Sequence, residues 1–243
     1  QMPNKEWQAR VRCGGPVFPG AHGLKGPDFK TQSELFALVD GVRSPRQHCL
    51  ANPQLLEVVV AEIKKQRAQG RGPVIGLGPN DGSGFCECDD CRKLDGGDFD
   101  PFSFEPSVTD RYIWFFNRVL QRLENDYPDM KLAFYIYHTY MQPPVRWKPN
   151  PKIMGAMAPI ALDRVHGFSN PAAPEKSYVR WLYQEWGKIL PELYDRGYWS
   201  NLACPGLPFI MAHRLREQIP FGKRAGITGW RVETFAHWGT QLP

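Results

Sequence analysis

Residues 131–138 read Lys-Leu-Ala-Phe-Tyr-Ile-Tyr-His, with six apolar or aromatic side chains in an unbroken row. A strand that is wet on one face alternates apolar with polar residues. A continuous apolar run instead suits a strand covered on both faces, as in a parallel sheet. Runs of the same kind recur at residues 74–80 (VIGLGPN), 152–160 (KIMGAMAPI), 198–204 (YWSNLAC) and 226–234 (GITGWRVET), with a weaker one at 9–14 (ARVRCG). Helical patterns fall between most of them. Asn52-Pro53 opens one as a cap and a first-turn proline, Leu56, Val59, Val60 and Ile63 recur at helical spacing, and Gly70 ends it. Residues 107–126 carry Tyr112, Ile113, Phe116, Val119, Leu120 and Leu123 on one face and stop before Pro128. Residues 177–190 align Tyr178, Trp181, Leu182 and Ile189, so Trp181 and Trp186 read as shell packing. A fourth helix covers 208–219 and ends at Pro220.

Strands that alternate with helices predict parallel βαβ units. The expected fold class is α/β, a (β/α) barrel of TIM type that forms one domain over residues 1–243 with a Cys-rich loop at 81–100. About six strands are legible where such a barrel has eight, so it is expected to be incomplete at its N-terminus. The chain opens QMPNKEWQARVR without an initiator Met or an apolar leader core, which reads as a processed or excised fragment. The link at 142–151 (QPPVRWKPNP) is too proline-rich for a helix. An open doubly wound sheet is the alternative, but no Gly-rich phosphate loop follows a first strand.

The 42% hydrophobic and 23% charged composition is that of an ordinary globular domain. No stretch approaches the roughly 18 apolar residues of a membrane span, so none is expected. Net charge is +5, and its densest group, Lys64, Lys65, Arg67 and Arg71, lies at a helix C-terminus, where cations complement the helix dipole. Nucleic acid is therefore not an expected partner. The 8 Trp, 9 Tyr and 14 Phe supply core, and some could also stack on sugar rings.

In either architecture, sites form beyond the C-terminal ends of the parallel strands. Asn80 and Asp81 follow the run at 74–80, Glu233 closes the run at 226–234, and His138 and Tyr140 follow the run at 131–138. Asp81 and Glu233 are thus candidate catalytic carboxylates. Asn80, His138, Tyr140, Arg231, Trp147 and Trp199 are candidate substrate contacts, with His166 and Trp238 in nearby loops. Each has an ordinary structural role as well: Asn-Asp-Gly makes turns, and a lone His usually packs. Cys86, Cys88 and Cys91 form a C-x-C-x2-C cluster. With Cys49 as the fourth ligand, ahead of His48, Cys13 or Cys204, they suit one structural zinc ion that would staple the loop carrying Asp81. Disulfides are the alternative in an exported protein.

These residues resemble the bacterial family known as domain of unknown function 4838, placed in the TIM-barrel glycoside-hydrolase superfamily near the α-glucuronidases. The resemblance rests on residues 34–43 (ELFALVDGVR), 49–53 (CLANP), Pro79-Asn80-Asp81-Gly82 with the Cys86/Cys88/Cys91 cluster, and Phe116-Asn117-Arg118-Val119 ahead of Tyr127-Pro128. It departs where the family's His-Pro-Glu-Tyr-Phe reads Gln32-Ser33-Glu34-Leu35-Phe36. The resemblance implies a barrel, a carbohydrate substrate and export to the periplasm or beyond. The resulting expectation is a glycosidase for a polysaccharide or a decorated, uronic-acid-type sugar, with Asp81 as general acid and Glu233 as base or nucleophile. The rivals are a non-catalytic carbohydrate-binding barrel and a metal-dependent hydrolase. Sugar, linkage, stereochemistry and oligomeric state are not legible.

Overall fold

The computed structural model describes residue 6 and residues 18–232, apart from positions 21, 102, 161, 162, 164 and 200–209. The expected strand at 9–14, Cys13, Cys204, Glu233 and Trp238 lie outside the described residues. In chain order the larger elements are β1 (Phe36–Val39), β2 (Val42–His48), α1 (Pro53–Ala68), β3 (Val74–Gly76), α2 (Asp89–Arg92), β4 (Phe99–Asp100), β5 (Glu105–Pro106), α3 (Thr109–Leu123), β6 (Lys131–Ile136), β7 (Ile153–Met157), α4 (Glu175–Ile189), β8 (Glu192–Gly197), α5 (Ala212–Arg224) and β9 (Ile227–Val232). The fold is α/β. Its main sheet is parallel throughout, in the order β3-β6-β7-β8-β9. That order follows the chain and lacks the reversal of a doubly wound sheet. Among the described residues β3 and β9 are both edges, so the sheet is not closed.

Side-chain alternation divides the two faces. Leu132, Phe134 and Ile136 of β6, Ile153 and Met157 of β7, Leu193 of β8 and Ile227 of β9 join one large core with side chains from α1, α3, α4 and α5. Ala133, Tyr135, Met154 and Ala156 point the other way and form a small separate cluster around Phe18. All four long helices therefore cover a single face. The second face is lined by Tyr135, Tyr194, Arg196 and Arg231: Arg196 stacks over the Tyr135 ring at 4.7 Å, and Arg231 donates to the Phe18 carbonyl at 2.8 Å and to Tyr135 Oη at 3.4 Å.

Local chemistry explains the helices. The Asn52 side chain accepts the Gln54 N–H at 2.9 Å, Pro53 stands in the first turn, and Gly70 takes a φ of 84° just past the end. Helix α3 buries Tyr112, Ile113, Phe115, Phe116, Val119, Leu120 and Leu123 along one side. Its Asp110 carboxylate accepts the N–H groups of Val145, Arg146 and Trp147 and so pins the proline-rich link between β6 and β7, which is non-helical as expected. In α4, Trp186 is fully buried and donates to the Met141 carbonyl at 2.8 Å. Trp181 is not shell packing: it is 41% exposed and stacks on Tyr178.

Three boundaries differ from the sequence reading. A strand stands at Glu192–Gly197, ahead of the expected run at 198–204, of which 200–204 lie outside the described residues. Its residues alternate in burial, with Leu193 and Asp195 toward the helices, so the expectation of a continuous apolar run passed it over. Helix α5 runs through Pro220 to Arg224, because Phe221 and Gly222 beyond the proline pack against Phe168 and Trp230. The β1–β2 hairpin was also missed. Val39 pairs with Val42 across Asp40-Gly41, and both turn residues have positive φ (49° and 76°), the Asp-Gly signature of a type I′ turn.

Candidate functional site

Two centres lie near the C-terminal ends of β3 and β6. The first is the cysteine loop. Strand β2 delivers Cys49, and the loop after β3 delivers Cys86, Cys88 and Cys91, the last from α2. Cys49 Sγ lies 3.7 Å from Cys88 Sγ and 3.8 Å from Cys91 Sγ, and Cys86 Sγ lies 3.5 Å from Cys88 Sγ. All four sulfurs fall within 4.8 Å of one another, and none is in a disulfide. A tetrahedron with metal–sulfur bonds of about 2.3 Å has edges of about 3.8 Å. The four cysteines could therefore hold a metal ion with little movement. Leu38 N–H points at Cys86 Sγ and Ala51 N–H at Cys91 Sγ, the outer hydrogen bonds that thiolate ligands need. Hydrogen bonds from Cys49 and Cys91 and then that of Leu38 hold the Cys86 thiol below its ordinary range. Ala37, Leu38, Val39 and Ala51 enclose the group.

The second centre is the strand-end rim. Asp81 stands exposed in the loop beyond β3. Its neighbour Asn80 is tied down rather than offered to a ligand: its N–H donates to Gln47 Oε1 at 3.0 Å, its amide donates to the Arg46 carbonyl, and Gln47 Nε2 donates back to the Asn80 carbonyl at 2.8 Å. Burial raises the Tyr137 hydroxyl, and the charge of Asp81 raises it further, so Asp81 and Tyr137 share the rim. His138 follows with a φ of 50°, a left-handed backbone that costs a non-glycine residue about 1 kcal/mol or more. Its Nδ1 is buried without a partner. Tyr140 is only 1% exposed, packed among Phe85, Tyr112 and Tyr137, and belongs to the core.

The other expected contacts are dispersed. Strand alternation turns Arg231 onto the face away from the helices, beside Arg196, its register partner on β8. Trp147 lies against the first turns of α3, where Asp110 accepts its N–H, in a groove with Trp114, Asn117 and Lys148 rather than on the inner face of the sheet. Its Nε1 donates to the Leu94 carbonyl. Trp199 folds back on Gly197, where a Cβ would meet its Nε1 at 2.3 Å.

The sequence reading also missed a buried polar group behind the end of β8. Burial pushes Asp195 up to about 6, against the 2.8 Å hydrogen bond from Tyr183 Oη and the charges of Arg214 and Lys176. Burial likewise pulls Lys176 down to about 8, helped by Arg214. Nearby, burial favours a neutral Asp163, yet the His166 imidazole 2.6 Å away and two backbone N–H groups draw its carboxyl down to about 2. A charged residue inside a strand was the available signal for Asp195.

The family model described as Domain of unknown function (DUF4838) matches residues 21–242. The chain belongs to this family. The match embraces the hairpin, the cysteine loop, every strand of the main sheet and both rim segments. No curated protein and no solved structure matches the chain. Membership in this family therefore identifies the scaffold and names no activity. No described helix is long and apolar enough to cross a membrane.

Proposed function

We propose that this domain is the arc of a (β/α) barrel of glycoside-hydrolase type, acting in an exported polysaccharide-degrading system. The supporting observation is that five parallel strands follow the chain order with every long helix on one face. A barrel wall has that build: helices outside, and an inner face that ends at a catalytic rim. The inner face here carries Tyr135, Tyr194, Arg196 and Arg231, and Asp81 stands at the rim beside Tyr137. Two arginines beside tyrosines suit a sugar that bears a carboxylate.

Asp81 is the proton donor to the leaving glycosidic oxygen. Glu233 is the base or nucleophile. The four cysteines hold zinc, which fixes the loop that starts at Asp81. Aryl glycosides and glycuronides, followed by oligosaccharides, test the reading. Asp81→Asn should lower turnover by about 10²–10⁴-fold and leave sugar affinity nearly intact. The exposure of Asp81 favours a second reading, sugar binding without cleavage. Under it the native chain binds the same sugars and turns over none of them.

A further inference from the structure

A closed-in cavity of about 130 Å³ lies beyond the ends of β6 and β7, between His138 and the segment Ala158 to Ile160. Met141, Ala158, Pro159 and Ile160 make its walls mostly apolar. That lining suits neither a bare sugar ring, with a hydroxyl on nearly every carbon, nor a carboxylate. Apolar cavities of about 150 Å³ hold six-carbon rings, so this one takes a group of roughly four to six heavy atoms.

The cavity also has a polar side. Asp100, Ser103 and His138 line it, and among the described residues Ser103 Oγ and His138 Nδ1 are both buried without hydrogen-bond partners. Two such atoms at one cavity are unusual, because a buried polar atom left unpaired costs about 1–3 kcal/mol. Ser103 is set in place by Asp100, which is 1% exposed and whose Oδ2 accepts the Ser103 N–H at 2.7 Å. His138 holds the left-handed backbone described above, strain of the kind that collects at functional sites. Tyr137 lines the cavity just past β6, and Asp81 follows β3, the neighbouring strand of the sheet.

We infer that this cavity is a subsite for an acetyl substituent on the sugar, which with its linking oxygen or nitrogen has about four heavy atoms. The methyl group lies against Ala158, Pro159 and Ile160. The carbonyl oxygen accepts a hydrogen bond from Ser103 Oγ, which reaches it by turning about its single side-chain bond. The role is binding rather than ester cleavage: among the described residues no imidazole is hydrogen-bonded to Ser103 Oγ. The inference deepens the sugar reading, from which it takes the body of the ligand, whereas the cavity itself asks only for the acetyl group.

The test uses the full chain and three probes: acetamide, N-acetylglucosamine with glucose as its unacetylated control, and an O-acetylated xylo-oligosaccharide with its deacetylated form. Imidazole NMR signals of His138 report acetamide, and calorimetry reports the sugars. Acetamide should shift the His138 signals, and an acetylated sugar should bind at least tenfold tighter than its control. The N- and O-acetyl arms show which linkage the subsite accepts. Ala158→Leu fills the cavity and should abolish both effects. Ile160→Phe does the same from a less buried position, should the first variant fail to fold. Sugar binding that is indifferent to acetylation in the native chain, or a preference that survives the filling substitutions, overturns the subsite and leaves the sugar reading standing. Acetamide occupancy without binding of any sugar supports the subsite and removes the sugar reading instead.

Discussion

Arg111 Nε donates to Asp95 Oδ1 at 2.6 Å, and the same guanidinium donates through Nη1 to the Cys86 carbonyl at 2.7 Å. One side chain of α3 therefore clamps the cysteine loop at two points nine residues apart, Cys86 and Asp95. The Arg111 and Asp95 side chains are only 5% and 13% exposed, so the pair is barely screened by water.

Removing one partner from such a pair leaves a buried charge. Arg111→Met should cost about 3–5 kcal/mol, whereas breaking the exposed pair Lys93–Asp90 should change stability little. Urea unfolding of Arg111→Met beside Lys93→Met checks the contrast. Equal effects would show that the clamp has no special role.

Metal loss should loosen the same loop. Purified protein is expected to carry about one zinc per chain, and Cys91→Ser to lose it. Strong chelation should lower stability by about 3 kcal/mol or more, a fall in Tm of roughly 6–12 °C. Elemental analysis with thermal unfolding decides. A metal-free protein with an unchanged Tm after reduction and chelation would remove the metal role.

Gly187 of α4 sits against the turn after α5. An added Cβ would lie 1.7 Å from the Ala225 carbonyl oxygen, which is backbone and cannot swing aside. An alanine normally stabilises a helix by about 1 kcal/mol over glycine. Here the clash should win, with a net loss of about 2–3 kcal/mol for Gly187→Ala. A higher Tm in that variant would contradict the packing of α4 against the α5–β9 turn.

Asp195 sets a pH dependence. Its folded pKa of about 6 lies above the ordinary 3.8, so between those values the folded chain keeps a proton that the unfolded chain releases. Raising the pH through this window therefore destabilises the protein. The contribution is complete below about pH 4 and gone above pH 6, about 3 kcal/mol in all. Asp195→Asn keeps an acceptor for Tyr183 and cannot ionise. Relative to the native chain, it should gain that amount from pH 4 to pH 7 in urea titrations. Stability curves that stay parallel across the range would sink this assignment.

Much of this molecule was legible in its sequence. The runs at 74–80, 131–138 and 152–160 each contain a parallel strand, and residues 107–126 contain α3. β8 was not legible, because Asp195 and Arg196 break the apolar signature in a strand that alternates instead. The Asp40-Gly41 hairpin was legible in principle, since its turn chemistry is local. The cavity beside His138 was not: Ser103 and Ala158 are 55 residues apart, and both line it only because the connection between β3 and α3 reaches the ends of β6 and β7.

The sequence by itself determined the period of each segment and the closeness of Cys86, Cys88 and Cys91. Backbone sterics and side-chain polarity act over a few residues, and three thiols on a C-x-C-x2-C spacing are close in any compact turn. Only the tertiary structure decided that Cys49 completes the set, that Tyr140 is core, that Trp147 packs against α3 and the cysteine loop and that Arg231 faces Arg196. Those facts depend on which distant strands pair and which face the helices cover. Burial of the whole apolar surface settles that choice, and no short stretch of chain specifies it.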